Sequence, residues 1–97
     1  MRTGTSHGTR VLVVRNKHQH TLERVFEAPA LADIRWQDLV AMLKAAGVDI
    51  SERSGSRVLL KKGRERMVVH RPHPEPATGR ATVRDIAAFL KAVGVKP

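Results

Sequence analysis

Between Val48 and His70 the chain carries three short strand-like segments separated by two turn signals. The segments are Val48–Arg53, Ser56–Lys61 and Arg64–His70, and the turns are Ser54-Gly55 and Lys62-Gly63. Turns this tight join antiparallel neighbours, so the stretch predicts a three-stranded antiparallel meander. Alternation then assigns faces. Val58 and Leu60 point to one side of the second strand, and Met67 and Val69 to the same side of the third. Arg57, Leu59 and Lys61, with Arg66, Val68 and His70, point to the other. A surface holding Arg57, Lys61, Arg66 and His70 follows from strand geometry alone.

Helices are expected on both sides of this meander. A short one spans residues 21–27, with Thr21 as N-cap, Leu22, Val25 and Phe26 on one face, and Pro29 beyond its end. The clearest one spans residues 35–46. Trp36, Leu39, Val40, Leu43 and Ala46 form its apolar stripe, Asp33 lies at its start and Gly47 closes it. A third spans residues 82–93, with Thr82 and Asp85 as a capping box, a stripe of Val83, Ile86, Ala87, Leu90 and Val93, and Gly94 at the end. The loop 71–81 holds Pro72, Pro74, Pro76 and Gly79 and is expected to be irregular. The fold class is therefore α+β: a three-stranded antiparallel sheet with helices packed on one face, leaving the other face open. Trp36, Leu39, Leu43, Val58, Leu60, Met67, Val69, Ile86 and Leu90 are the expected core. Residues 35–48 and 82–95 coincide at 7 of 14 positions, yet nothing between them repeats, which favours convergence over duplication.

At 97 residues the chain has room for one core. Residues 1–16 read as a flexible N-terminal tail, with Val11–Val14 as a short edge strand, and residues 17–97 as the domain. No apolar run approaches the ~18 residues of a membrane span. Val11–Val14 is also shorter than the roughly 7 residues that a secretory apolar region needs. The expected location is the cytoplasm. Cysteine is absent, which excludes a disulfide scaffold, a thiolate metal site and a cysteine nucleophile. The formal charge is +9, and residues 51–80 alone carry +5. Such a segment suits a polyanion: RNA, DNA or an acidic protein. The basic open face favours nucleic acid among these. Aromatic residues are limited to Phe26, Trp36 and Phe89, which argues against stacking of bases on rings.

From Lys17 onward the chain resembles the HicA toxin family. The residues that carry the resemblance are Ile34-Arg35-Trp36 leading into Leu43-Lys44-Ala45-Ala46-Gly47, then Ser51 to Val58, Val69-His70-Arg71-Pro72-His73-Pro74, Thr82 to Ile86, and Ala92-Val93-Gly94-Val95. The resemblance implies a fold similar to a double-stranded-RNA-binding domain. It also implies binding and cleavage of mRNA, and neutralisation by a HicB-type antitoxin. One departure matters. The family's catalytic histidine follows the turn at the start of the second strand, and here that position holds Arg57. A guanidinium, with a pKa above ~12, cannot act as a general base at neutral pH. The catalytic position is therefore not carried over, although Arg57 can grip a phosphate in bidentate fashion.

Metal-independent RNA cleavage requires proton transfer to and from a phosphodiester whose own 2′-OH attacks. Imidazole suits this work because its ordinary pKa, ~6.5, lies near neutrality. The candidates are His70, at the end of the third strand, and His73, between Pro72 and Pro74; His73 is slightly preferred for its stiff backbone. Arg57, Lys61, Arg66 and Arg71 are the candidate RNA-binding residues. Neither His18-Gln19-His20 nor the pair His70 and His73 has the third ligand of a zinc site, so no metal and no other cofactor is expected. The Arg57 departure keeps a second reading open, a non-catalytic RNA-binding module or toxin relic that mainly binds its antitoxin. A third is a basic protein-interaction domain.

Overall fold

The computed structural model describes residues 17–72 and 77–97. The tail 1–16, its expected strand Val11–Val14, and His73 lie outside the described residues. Helix α1 covers residues 17–25 and α2 Trp36–Ala45. Strands β1 (Asp49–Glu52), β2 (Arg57–Lys62) and β3 (Glu65–His70) follow, and α3 is Arg80–Ala92. The sheet has the order β1-β2-β3 and both pairings are antiparallel, as the turn spacing predicts. Helix α2 packs on β1 and α3 on β3. The molecule is an α+β fold with the core between helices and sheet.

Seven of the nine expected core residues are buried: Leu39, Leu43, Val58, Leu60, Val69, Ile86 and Leu90. Trp36 and Met67 pack against this core from its edge and are only partly buried. Ile34, Met42, Val48, Val83 and Phe89 complete it, with Leu22 and Val25 from α1. Leu60 is fully enclosed while its neighbour on the exposed side, Lys61, is open to solvent, so the register expected for β2 holds.

Two helix starts differ from expectation, those of α1 and α3, while α2 begins where expected. Thr21 is not an N-cap. It lies inside α1, where its buried hydroxyl donates to the Lys17 carbonyl at 3.3 Å, the local back-bond open to a threonine within a helix. Asp33 does not cap α2. The N-cap is Arg35, without a side-chain bond, and Asp33 instead pairs with Arg24 at 2.7 Å. The Thr82–Asp85 box does not form, because α3 begins two residues earlier with Gly79 at the N-cap. The cause is tertiary. The Thr78 amide donates to the Ile34 carbonyl at 2.8 Å, and Arg35 bridges Ala77. These bonds fix the chain before Thr82 is reached, and the Gly79 carbonyl then accepts from Val83. Part of the loop expected to be irregular is thus tied down at residues 77–78.

Both strand turns also shift. The first connection spans residues 53–56 rather than two residues. A short 3₁₀ turn fills it, Gly55 and Ser56 both take positive φ, and the Arg53 amide donates to the Arg57 carbonyl at 2.7 Å. The second turn is Gly63-Arg64, one residue later than expected, since Lys62 still pairs with Glu65.

The likeness of α2 and α3 has a local cause. The Gly47 amide donates to the Lys44 carbonyl and the Val48 amide to the Leu43 carbonyl. At the other helix Gly94 bonds Lys91 and Val95 bonds Leu90 in the same way. Gly47 and Gly94 have φ of +86° and +81°. This is one capping motif used twice. Four of the coinciding residues, Leu, Lys, Gly and Val, are the residues that build it.

Candidate nucleic-acid interface

The sheet's open face is built from rows of directly opposed residues. Asp49, Lys61 and Arg66 form one row, and Ser51, Leu59 and Val68 the next. Arg57 and His70 form a third. All three residues of the first row are exposed, as are Arg57 and His70. Val68, at 53% exposure, is the one large apolar side chain exposed among the described residues, and its partner Leu59 is half-buried. The face is thus an apolar pair flanked along the strands by Asp49, Lys61 and Arg66 on one side and by Arg57 and His70 on the other.

Cation faces cation across the strands at Lys61 opposite Arg66, and Arg57 stands opposite His70. Like charges directly opposed weaken a bare sheet. Asp49 lies opposite Lys61 in the same row without forming an ion pair with it; the ion pairs formed by the described residues are Arg24–Asp33 and Arg71–Glu52. An anion laid on the face would relieve this repulsion.

The sequence-predicted residues do not all gather here. Arg57, Lys61, Arg66 and His70 share the face. The Arg57 guanidinium is turned back on the preceding loop, with Nε donating to the Ser54 carbonyl at 3.1 Å and Nη2 to Ser54 Oγ at 3.2 Å. That fixes its plane and leaves further N–H donors for a ligand. Arg71 is placed differently. It follows His70, so alternation sends it to the other side, where it pairs with Glu52 at 3.1 Å. It ties the end of β3 to the end of β1.

Arg53 belongs to the face and was absent from the expected site. It lines a concavity with Asp49, Ser51, Leu59, Lys61 and Arg66. It also lines a second one with Ser54, Arg57 and Val68. The signal was present in the alternation of β1, which places Arg53 on the side of Asp49 and Ser51. It was masked because the residue sits beside a turn dipeptide.

Fold and face together define a class: a small α+β domain that covers one side of a sheet with helices and presents a basic surface on the other. Residues 36–95 match the family model of the HicA toxin of bacterial toxin–antitoxin systems. The chain belongs to the HicA toxin family, which implies an antitoxin as partner. No curated protein and no solved structure matches it. Among the described residues no helix is long and apolar enough to cross a membrane.

Proposed function

We propose that this chain is a toxin that binds RNA on the open sheet face, cleaves mRNA without a metal ion and is neutralised by a HicB-type antitoxin. The observation that carries the reading is the gathering of Arg57, Lys61 and Arg66 on one exposed face, with Lys61 directly opposite Arg66. Arg57, Lys61 and Arg66 bind RNA phosphates; Arg71, held by Glu52, stands at the rim.

In the reaction the 2′-oxygen attacks the adjacent phosphorus and the bond to the 5′-oxygen breaks. One imidazole takes the 2′-OH proton and a second group returns a proton to the leaving oxygen. His70 and His73 are assigned this proton work, His70 from its place opposite Arg57 and His73 from the sequence. Arg57, pre-set by Ser54, stabilises the extra negative charge on phosphorus. An acidic or polar antitoxin surface laid over the same face blocks RNA by exclusion.

The test is incubation of the full chain with a defined RNA in EDTA. Cleavage leaving a 2′,3′-cyclic phosphate is expected, and His70→Ala or His73→Ala lowers the rate by about 10² to 10⁴ for whichever imidazole transfers the proton. Activity that survives the double substitution refutes the assignment. One observation favours a second reading, a non-catalytic RNA binder. The guanidinium of Arg57, the residue that the resemblance sets at the family's histidine position, is anchored to a loop. RNA binding without any cleavage by the unaltered chain would establish that reading instead.

A further inference from the structure

We infer that Asp49 and Lys61 read a guanine in single-stranded RNA, making Asp49 a specificity-determining residue of the face; the inference rests on the RNA-binding reading above. Asp49 is an exposed carboxylate on an otherwise cationic surface. It lies directly opposite Lys61, yet it enters neither of the ion pairs formed by the described residues. A carboxylate here weakens phosphate binding, so its use lies in something that phosphates do not offer.

Base edges differ in what they present. Guanine alone places two donors, N1–H and the 2-amino group, side by side, and its O6 acceptor follows next to them. A carboxylate accepts both donors at once, and an ammonium beside it donates to O6. Adenine and cytosine put an acceptor beside their amino group, which repels the carboxylate. Uracil has one donor between two acceptors. The cross-strand pair Asp49–Lys61 therefore matches the edge of guanine and of no other standard base.

The surroundings fit a base as well as its edge. Leu59 and Val68 are diagonal neighbours of this pair, at about 7 to 8 Å for such positions in a sheet. They form an apolar platform for the ring, in a chain whose few aromatic residues supply none on this face. Asp49, Lys61 and Leu59 line one concavity, and Arg53 lines both it and the adjoining one. Arg53 is thus placed for the phosphodiester that links the guanosine to its neighbour. The Watson–Crick edge is free only in an unpaired base, which restricts this mode to single strands.

The test uses short labelled 2′-O-methyl oligouridine, which its own 2′-oxygen cannot cut, and the same strand with one central guanine, adenine or cytosine. Fluorescence anisotropy with the full chain should show guanine preferred about tenfold over each of the others. Asp49→Asn, with folding verified by circular dichroism, should bring that ratio to about one, because an amide offers a donor where guanine needs an acceptor. A guanine preference missing from the unaltered chain, or retained by Asp49→Asn, overturns the inference and leaves RNA binding standing. Failure to bind any of the strands overturns both.

Discussion

Gly47 has φ of +86°, and a β-carbon built there would meet Lys62 Nζ at 2.9 Å. A left-handed conformation costs a residue with a β-carbon about 1 to 2 kcal/mol. Gly47→Ala should therefore lower unfolding free energy by about that amount, read from a urea titration. The Lys62 ammonium can move aside, so the backbone dominates the loss. This glycine was legible in the sequence because it follows the last residue of an apolar stripe. Thr21, Asp33 and Thr82 were legible only as residues able to cap. Each had a competing partner that local sequence does not reveal: a carbonyl four residues back, Arg24, and a helix start already set by the Ile34–Thr78 bond. Arg57 is the reverse case. Its place just after the turn was plain, whereas its attachment to Ser54 emerged only from the folded loop.

Strand β2 carries both halves of the account, one on each face. Leu60 is fully enclosed and Leu59 is half-buried beside Val68. Leu60→Ala should cost about 2 to 5 kcal/mol of stability, since it removes buried methylenes and leaves a cavity. Leu59→Ala should cost about 1 kcal/mol or less, as a change on a half-exposed site, and should weaken RNA binding instead. Thermal unfolding and RNA titration of the two variants check the contrast; equal destabilisation would contradict the face assignment. The faces of β2 and β3 were legible because a period of two leaves no freedom once one apolar residue is placed. The turn lengths were not. A two-residue signal such as Ser54-Gly55 fixes where the chain reverses, while the Arg53–Arg57 bond decides how many residues the reversal takes. The shift hid Arg53, which the longer connection leaves between the two concavities.

For the whole molecule, the central claim is that one side of the sheet is spent on stability and the other on an anionic partner. The charge of +9 shows that an anion is attractive but gives no position. Position comes from the helices, which cover the Val58–Leu60 side and leave Arg57, Lys61 and Arg66 exposed with Arg53 beside them. On a strand without guanine, where Lys61 is free for a phosphate, four cations that each neutralise one phosphate give a slope of log affinity against log salt of about −3. Arg71 adds little, being held by Glu52 at 3.1 Å on the other side. The most direct measurement is the affinity of the full chain for a single-stranded 2′-O-methyl oligouridine across a salt series, repeated with Arg57→Ala and Arg66→Ala combined. A slope near −3 is expected for the unaltered chain, falling to about −1.5 for the double variant. A slope the double variant leaves unchanged would place the RNA elsewhere on the molecule and contradict the account.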